Sequence, residues 1–537
     1  MTENTAIRKA GETMGIYLNP GNNSFDRQIK SQVYVDKTGL IEYTNKVLRT
    51  EQRNVCISRP RRFGKSMAAT MLAAYYDRTC DSKSMFQGME ISKSESFLQH
   101  LNKYDVIFVN IQKFLSRADS AENMLVYLQE KVIAEVKDAY PNCSKEKERL
   151  SVVLEEIYAA TGNMFVFIID EWDCIFREYR HDNDMQTKYL DFLRDLLKDA
   201  DYISLAYMTG ILPIKKYGTH SALNMFDEFS MIEPDMLAQY VGFTEDEVRM
   251  LCEEWNMDFE EMRRWYDGYR FEDDLHIYSP KSVVDAIRRK RFGSYWANTE
   301  TYEALKIYIN MNFDGLRDAV ILMIGGEKYR IRSRSFQNDM TTFKNKDDVL
   351  TLLVHLGYLA YDTGTQEVFI PNHEVATEFE NAVEGAGWDE VIKAISNSDD
   401  LLNATLAGDA ETVAKGIESI HAESTSILNY NNENALSCVI SLAYYSARNY
   451  YTLIRELPAG KGFADIVFLP QTQHIDKPAI IVELKWDKSV QGAIEQIKNK
   501  NYVDALKSYT GLIIVVGINY DKTSKKHQCM IEKYEKQ

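Results

Sequence analysis

The sequence predicts a multidomain α/β protein, and three observations support that prediction. The chain has 537 residues, which exceeds a single hydrophobic core at about 150 residues per domain. Short apolar runs recur along it, as in strands that are buried on both faces of a parallel sheet. Between residues 54 and 78 a β-prone run, a tight loop and a helical stretch follow one another, which is the local order of such a sheet.

The composition indicates a soluble globular chain without membrane segments. Hydrophobic residues make up 45% and charged residues 27% of the chain, which is ordinary for such proteins. Residues 1–15 are too polar for a secretory signal, and the apolar run 511–518 is too short to span a bilayer. The seven cysteines form no CxxC pair, which argues against a zinc site or a disulfide framework and favours a reducing, cytoplasmic location.

The charge is distributed unevenly along the chain. The formal net charge of −17 argues against a protein covered in nucleic-acid-binding surface. Residues 431–537 hold 14 Lys and Arg against 11 Asp and Glu, a net charge of +3, and the remainder carries −20. A mildly basic carboxyl-terminal region on an acidic body is compatible with a phosphodiester substrate that binds with modest, salt-sensitive affinity.

The strand-loop-helix segment carries a phosphate-binding pattern. After the run 54–58 the chain reads RPRRFGKS, which matches GxxxxGK[ST] except that Arg59 replaces the first glycine. In such a loop the backbone N–H groups face the phosphates, Lys65 reaches the β- and γ-phosphates, and the Ser66 hydroxyl ligates Mg²⁺. We expect the following residues to contact the nucleotide: Arg59, Pro60, Arg61, Arg62, Phe63, Gly64, Lys65, Ser66 and Met67.

A second pattern follows about a hundred residues later. The run 164–169 is apolar and ends in Asp170 and Glu171, which predicts that Asp170 holds Mg²⁺ and that Glu171 polarises the attacking water. The apolar runs 104–110 and 202–208 fit the same sheet. Thr209 follows the latter, where it is either a sensor of the γ-phosphate or a cap of the next turn. Together these residues predict a site for ATP and Mg²⁺.

Several segments resemble one family of bacterial proteins. They are YVDKTGLI (34–41), SRPRRFGKSMAA (58–69), FIIDEWD (167–173), MTGILPI (208–214), GFTEDEV (242–248), WYDGYRF (265–271), YSPKSVV (278–284) and YWANT (295–299). This set resembles the predicted AAA-ATPase-like family, in which the RPRRFGKS form is typical, over residues 15–300. The resemblance implies that Arg59 is a family feature, and with Arg61 and Arg62 it would place three cations beside the triphosphate.

The middle of the chain is predicted to be mainly helical. Residues 244–310 suggest a helical lid, and Arg263, Arg264 and Arg270 are alternative phosphate contacts among which the sequence does not choose. The aromatic residues of WYDGYRF favour packing over a ligand cage. Residues 347–380 read helix, strand, turn, strand, helix, a small winged-helix-like unit that binds DNA or serves as a spacer. The absence of a basic cluster in its recognition stretch favours the spacer.

Residues from 430 onwards carry a third pattern. A helix with Glu433 in its first turn precedes a strand with Asp465 and a strand that reads AIIVELKW, with Glu483 and Lys485 on one face. A helix (492–502) and an apolar strand (511–518) follow. An ExK triplet alone is also expected of a surface ion pair. Here the buried-looking run before it and the carboxylate 18 residues upstream favour a metal site.

This order resembles the core of the PD-(D/E)XK nuclease superfamily. The resemblance implies that Asp465 and Glu483 ligate Mg²⁺, that Lys485 positions the attacking water or neutralises developing charge, and that Glu433 adds a carboxylate. Gln496 and Tyr502 resemble polar residues of the following helix in relatives, although their spacing differs from the usual QxxxY. The predicted domains are 1–240 (P-loop ATPase), 241–330 (helical lid), 331–384 (winged-helix-like), 385–427 (helical connector) and 428–537 (nuclease-like, restriction-endonuclease-like α/β fold).

Three hypotheses for function follow. The first is an ATP-regulated nuclease that acts on DNA or RNA, and the second is a nucleotide-controlled signalling switch whose nuclease-like domain only binds. The third is a peptide- or protein-handling ATPase, which requires ring assembly, so a homo-oligomer is a further expectation. The catalytic residues would be Glu171, Glu433, Asp465, Glu483 and Lys485.

Overall fold

The computed structural model describes thirteen stretches of the chain, which are residues 15–118, 120–146, 149–214, 223–271, 274–296, 301–338, 340–424, 439–459, 462–499, 509, 511–521, 523–524 and 526–535. It divides into two compact units. The first comprises Met1–Thr299 and Arg330–Val375, and the second comprises Glu300–Tyr329 and Ala376–Gln537. The chain passes between the two units more than once, so the units do not coincide with the five predicted domains. The boundaries of those domains remain a prediction.

A five-stranded sheet forms the centre of the first unit. Its strands are β1 (Asn54–Ser58), β2 (Asp105–Asn110), β3 (Phe165–Asp170), β4 (Ile203–Gly210) and β5 (Asp227–Phe229), in the order β2-β3-β4-β1-β5. All four pairings are parallel. Every residue of β1, β3 and β4 is buried, as expected of strands with helices on both faces. The predicted α/β fold with a P-loop-type parallel sheet is confirmed.

Helices surround this sheet and continue into the rest of the first unit. They are Asn23–Ile29, Gly39–Val47, Lys65–Tyr76, Lys83–Phe86, Phe97–His100, Ile111–Arg117, Ala121–Ala139, Leu150–Thr161, Cys174–Glu178, Asn183–Leu197, Glu245–Trp255, Phe259–Tyr266, Pro280–Arg289 and Lys346–Leu356, with 3₁₀ turns at Glu90–Lys93, Asp235–Tyr240 and Ser333–Ser335. Among the helices of the described residues, none has the length and apolar character needed to cross a bilayer.

The region predicted as a helical lid also contains a small antiparallel sheet. Its strands are β6 (Phe243–Thr244), β7 (Tyr269–Phe271) and β8 (Leu275–Tyr278), in the order β6-β8-β7. Thr244 and Glu247 form a reciprocal capping box at the start of the helix Glu245–Trp255. Tyr266 and Tyr269 are buried, so these aromatic residues of WYDGYRF pack in the interior.

The winged-helix-like order is present as expected. The helix Lys346–Leu356 leads into β10 (Ala360–Asp362) and β11 (Glu367–Phe369), which pair antiparallel. The helix His373–Ala386 follows, and the unit boundary falls after Val375. A two-residue strand, β9 (Tyr329–Arg330), precedes this region.

A mixed five-stranded sheet forms the core of the second unit. Its strands are β12 (Tyr451–Ala459), β13 (Gly462–Pro470), β14 (Ala479–Trp486), β15 (Leu512–Asp521) and β16 (Lys526–Glu535), arranged in sequence order. Only the pairing of β14 with β15 is parallel among those of this sheet that the structure describes. The crossover helix Val490–Asn499 packs Ile494 and Ile497 against this sheet, and the strand-strand-helix-strand order predicted for the nuclease-like fold is confirmed.

The other helices of the second unit lie on either side of this region in the sequence. They are Thr301–Ile309, Leu316–Ile324, Asp389–Ser396, Ser398–Ala407 and Ala410–Ser424, with a helical turn at 439–443 and 3₁₀ turns at Tyr445–Asn449 and Thr472–His474.

Candidate functional sites

The phosphate-binding loop joins β1 to the helix Lys65–Tyr76. Gly64 caps this helix with φ of 96°, in the left-handed region that favours glycine. The N–H groups of the first helical turn have no partner within the helix itself, so the turn forms an anion-binding end. The loop therefore has the conformation that the sequence pattern predicted.

The Asp170 carboxylate, at the end of β3, collects hydrogen bonds from the ends of neighbouring elements. Its Oδ2 accepts from Ser66 Oγ at 2.8 Å and from Asn110 Nδ2 at 2.9 Å. Its Oδ1 accepts from Thr209 Oγ1 at 2.6 Å. The structure thus brings together the predicted residues Ser66, Asp170 and Thr209, and it adds Asn110, which the sequence analysis did not select. A carboxylate beside a hydroxyl supplies the hard oxygen atoms that Mg²⁺ prefers.

Lys65 lies at the base of the loop and is 5% exposed. Its ammonium donates to the carbonyl oxygens of Arg59 at 2.9 Å and Pro60 at 2.8 Å. Burial lowers the pKa of Lys65, while the nearby carboxylates of Glu171, Asp173 and Asp170 raise it. The net shift of the Lys65 pKa is downward, and the two carbonyl oxygens hold the ammonium at the loop.

Glu171 lies one residue beyond β3, with φ of 57°, a conformation uncommon for a residue with a side chain. Its carboxylate forms an ion pair with Arg177. Burial raises the pKa of Glu171, and the charges of Lys65 and Arg177 oppose that rise. Arg177 itself is fixed by Asp173, whose Oδ2 lies 3.0 Å from the arginine Nε. Arg177 and Asp173 were not among the predicted site residues.

A cavity of about 1100 Å³ in the first unit is lined by Lys65, Ser66, Asn110, Glu171 and Arg177, whereas Asp170, Asp173 and Thr209 are not among its lining residues. Phe63, Gly64 and Met67 of the loop line it, and their contact with a nucleotide stays a prediction. Cationic side chains outnumber acidic ones in its lining. The cations are Lys37, Arg61, Arg62, Lys65, Lys113, Arg177, Lys281 and Arg288, and the carboxylates are Glu171 and Asp285. Such a lining concentrates positive potential and suits a polyanionic ligand.

The structure places the Arg59 side chain away from this cavity. Arg59 is fully buried, and its Nη1 donates to the carbonyl oxygens of Ser58, Phe229 and Ser230 at 2.9 to 3.0 Å. Burial lowers the pKa of Arg59 to about 10. The expectation that its guanidinium adds charge beside the triphosphate was therefore wrong, because carbonyl groups at the end of β5 hold it inside the fold. Pro60 is likewise not among the cavity-lining residues.

Arg62 connects the loop to a distant segment of the first unit. Its Nη1 donates to the carbonyl oxygens of Tyr295, at 3.0 Å, and Trp296. Trp296 Nε1 in turn donates to the Arg61 carbonyl at 3.2 Å. The buried carboxylate of Glu374 accepts the backbone N–H groups of both aromatic residues and the Ser282 hydroxyl at 2.7 Å. This hydrogen-bond network, called the brace below, connects the P-loop to residues that are far apart in the sequence.

The three arginines proposed as alternative phosphate contacts do not line the cavity. Arg263 lies 3.6 Å from Asp267, Arg264 pairs with Glu261 at 2.9 Å, and Arg270 pairs with Asp274 at 3.1 Å. Lys281 and Arg288, on the helix Pro280–Arg289, line the cavity instead. The region predicted as a helical lid therefore contributes cations to the cavity lining, but from a different helix.

The second unit brings together the strand-borne carboxylates of the third pattern. Residues 465 and 483 lie one step beyond the antiparallel pair Ile466–Val482. Asp465 Oδ2 accepts the Leu484 N–H at 2.7 Å. The buried Glu483 carboxylate accepts from Lys485 Nζ at 2.7 Å and from Gln496. Gln496, on the helix after β14, thus contacts one of the predicted carboxylates, whereas Glu433 and Tyr502 lie outside the described residues.

A buried histidine pair lies elsewhere in the second unit. His421 Nδ1 and His527 Nε2 are 3.1 Å apart, and both rings contact Tyr520. Burial lowers the pKa of His421 to about 4, and burial together with the charge of His421 lowers the pKa of His527 to about 3. Both rings are therefore neutral in the folded state at pH 5 to 7.

We expect this pair to make the second unit acid-sensitive. Because the folded pKa values lie below the unfolded value near 6.5, the unfolded chain binds more protons, and stability falls as the pH drops from about 6.5 towards 4. At pH 5 the free energy of unfolding is expected to be lower by about 1–2 kcal/mol for each histidine. The free energy of unfolding of the second unit is measured by urea unfolding at several pH values. Pulsed hydrogen exchange of β15 and β16, at one labelling pH, reports the fraction unfolded.

His421→Phe and His527→Phe should each flatten this pH dependence. The matched control is His181→Gln, which replaces an exposed histidine of the first unit. This variant should leave the pH dependence of the stability of the second unit unchanged. A pH dependence that both phenylalanine variants retain in full would contradict the assignment.

The first unit has the parallel sheet, the phosphate-binding loop and the carboxylate-tipped strand of a P-loop nucleoside triphosphatase. Residues 21–219 match the family described as Predicted AAA-ATPase, and residues 431–529 match the PD-(D/E)XK nuclease superfamily. Two separate regions of the chain therefore match these two family models, which confirms both resemblances drawn from the motifs.

One curated relative is the "uncharacterized protein in vnfD 5′ region" of Azotobacter chroococcum mcd 1. It is 25% identical over 280 residues, which cover 50% of this chain and 51% of the relative. The chain thus spans about half the length of the curated relative it matches.

Solved structures similar to part of this chain include three archaeal proteins. The Walker-type ATPase PABY2304 of Pyrococcus abyssi is 15% identical, covering 64% of this chain and 94% of its own, with a TM-score of 0.32. The ORC2 protein of Aeropyrum pernix is 11% identical (67% and 98%, TM-score 0.30). The ORC1 protein of Aeropyrum pernix, in complex with DNA, is 14% identical (70% and 98%, TM-score 0.24). Likeness of this size transfers no function.

Proposed function

We propose that this protein binds and hydrolyses ATP with Mg²⁺ in its first unit and cleaves nucleic acid with a metal-dependent site in its second unit. The observation that carries the proposal is the cation-rich cavity on which the phosphate-binding loop and Glu171 converge, with Asp170 hydrogen-bonded to Ser66 of that loop. This arrangement supplies both the positive field for a triphosphate and the oxygen ligands for its metal ion.

Each residue of the first site has a distinct role in this proposal. Lys65 binds the β- and γ-phosphates, and the N–H groups at the start of its helix bind the phosphate oxygens. Ser66 and Asp170 would hold Mg²⁺, which, when bound, neutralises charge on the phosphates. Glu171 accepts a proton from the attacking water. Asn110 and Thr209 hold the Asp170 carboxylate in position.

The second site is proposed to act on phosphodiesters of DNA or RNA. Asp465 and Glu483 would hold a divalent cation, which, when bound, lowers the pKa of a water molecule and stabilises charge on the phosphate. Lys485 keeps an ammonium within 2.7 Å of Glu483, where it can orient that water or neutralise developing charge. The net charge of +3 over residues 431–537 predicts affinity that falls as salt rises.

Two assays of the unmodified chain test the proposal. Titration with a fluorescent ATP analogue, with and without Mg²⁺, together with phosphate release, should show metal-dependent binding and turnover. Incubation with single- and double-stranded DNA and RNA in Mg²⁺ or Mn²⁺ should show cleavage that chelation abolishes. Absence of ATP binding would refute the first half, and absence of cleavage across the panel would refute the second.

A nucleotide-controlled binding switch is the second candidate. It is favoured by one observation: the Glu483 carboxylate is already engaged by Lys485 and Gln496, an arrangement that also suits a site that binds phosphates without cutting. Retention of nucleic acid without cleavage, with an affinity that changes on ATP addition, would select this function. Cytoplasmic location and self-association remain predictions, and mass measurement with and without ATP tests the latter.

A further inference from the structure

Glu374 and Arg62 bind the backbone of the same two residues. Glu374 is 2% exposed, and its Oε1 accepts the N–H groups of Tyr295 and Trp296, the latter at 2.7 Å. The carbonyl oxygens of these two residues accept hydrogen bonds from Arg62 Nη1. The carboxylate therefore holds the donors, and the guanidinium holds the acceptors, of one short backbone segment.

The Glu374 carboxylate is itself fixed in place. It lies in the first turn of the helix His373–Ala386, where Asn372 Oδ1 accepts a backbone N–H at 3.0 Å. Asn372 Nδ2 also donates to the Asp267 carbonyl at 2.8 Å. The second carboxylate oxygen of Glu374, Oε2, accepts the Ser282 hydroxyl at 2.7 Å. These contacts leave the Glu374 side chain little freedom to move.

The segment that Glu374 holds also contacts the phosphate-binding loop directly. Trp296 is 3% exposed, and its Nε1 donates to the Arg61 carbonyl at 3.2 Å. Gly357 has φ of 89°, and a Cβ added to it would lie 2.8 Å from Pro60 and 3.2 Å from Trp296. The brace therefore meets residues 60, 61 and 62 of the loop through close packing and hydrogen bonds.

Arg62 needs this support because its backbone is strained. Its φ of 69° is uncommon for a residue with a side chain and persists where the surrounding structure fixes it. Arg62 also lines the cavity whose cations suit a triphosphate. A guanidinium that is ordered before the nucleotide binds loses less conformational entropy on binding, so the affinity is higher.

We propose that Glu374 is a positioning residue of the nucleotide site, which fixes Arg62 and the phosphate-binding loop by holding the backbone of residues 295 and 296. This inference rests on the proposed nucleotide binding and deepens it. Glu374 is not among the cavity-lining residues, so it acts on the nucleotide through Arg62 rather than by contact.

The test is the affinity of the full chain for a non-hydrolysable ATP analogue with Mg²⁺, measured by isothermal titration. Glu374→Leu fills similar space but accepts no hydrogen bond, so we expect its binding to be about tenfold weaker. Glu374→Gln retains an oxygen for the two N–H groups and should bind within about threefold of the wild type. The control is Glu384→Leu, which replaces an exposed carboxylate of the same helix and should bind as the wild type does.

A double-mutant cycle separates positioning from a general loss of stability. Arg62→Ala removes the group through which Glu374 acts, so Glu374→Leu should weaken binding little further in that background. A merely structural role of Glu374 would lower the affinity equally with and without Arg62. In the nucleotide-free chain, cleavage by trypsin after Arg61 and Arg62, mapped by mass spectrometry, should be faster in Glu374→Leu and unchanged in Glu384→Leu.

A second variant keeps the test decisive if Glu374→Leu fails to fold. Ser282→Ala removes the hydroxyl that holds Glu374 Oε2, so binding should be about threefold weaker, again with little further loss in Arg62→Ala. Wild-type affinity in the folded variants, or an equal loss with and without Arg62, would overturn the inference and leave nucleotide binding standing. Absence of nucleotide binding by the wild-type chain would overturn the proposed function and this inference with it.

Discussion

Lys65→Ala is expected to weaken Mg-ATP binding by at least about 100-fold, which corresponds to about 2.7 kcal/mol. The ammonium lies between the carbonyl oxygens of Arg59 and Pro60 at the base of a cavity lined by the phosphate-binding loop. Its removal takes away a cation that attracts the triphosphate and leaves these two buried oxygens without their donor. Isothermal titration with a non-hydrolysable ATP analogue measures the change.

Two variants control this result. Lys188→Ala removes an exposed lysine that pairs with Asp184 on the helix Asn183–Leu197, and its nucleotide affinity should match that of the wild type. Lys65→Arg retains the charge but replaces a compact ammonium with a larger planar group, so it should recover only part of the affinity. Binding by Lys65→Ala within threefold of wild type would remove Lys65 from the nucleotide site.

The central features of the first unit could be predicted because they depend on local order. Two apolar runs identify buried strands in the sequence. One is followed at once by Asp170, and the other by the loop that contains Gly64 and Lys65, so these residues lie beyond the carboxyl ends of their strands. Since parallel strands end at the same edge of a sheet, these residues had to meet. The same reasoning placed Glu483 and Lys485 on one face of a strand.

Other features of the sites depend on the path of a side chain, which sequence order does not determine. Arg59 adjoins the phosphate-binding loop in sequence, yet carbonyl groups of Phe229 and Ser230 draw its guanidinium into the interior. Arg62 instead lines the cavity and donates to carbonyl groups of two residues whose backbone N–H groups Glu374 accepts. No local pattern links residue 62 to residue 374, so this brace required the structure.

Asn110 and Arg177 were missed for a different reason. Asn110 ends the strand next to β3 and contacts Asp170, so the position at the tip of β2 was a signal that could have identified it. Arg177 follows Asp173 by one helical turn, a spacing common in surface ion pairs. Arg177 differs from such surface pairs because it is buried and lines the cavity, and neither property can be read from the spacing.

Asp465→Asn is expected to lower metal-dependent cleavage of nucleic acid by at least about 1000-fold, while ATP binding is retained. Asp465 lies on β13, one step beyond the antiparallel pair Ile466–Val482, on the side where Glu483 follows on β14. Its Oδ2 accepts the Leu484 N–H at 2.7 Å. Asparagine keeps the shape but loses the charge that holds a divalent cation against a phosphate. Cleavage rates in Mn²⁺ and the number of Mn²⁺ ions bound measure the two consequences separately.

Lys485→Met separates metal binding from chemistry at this site. It should retain the bound Mn²⁺ but lose cleavage, because the ammonium near Glu483 acts on the water or the phosphate rather than on the metal. Asp476→Asn, on the exposed loop before β14, is the matched carboxylate control and should cleave at the wild-type rate. Unchanged cleavage by both Asp465→Asn and Lys485→Met would show that the strand-borne carboxylate and lysine are not the catalytic groups of this chain. If Asp465→Asn loses cleavage and one bound Mn²⁺ while Asp476→Asn loses neither, the metal lies on β13 and β14. The comparison is informative because both variants remove one negative charge from the same region of the chain.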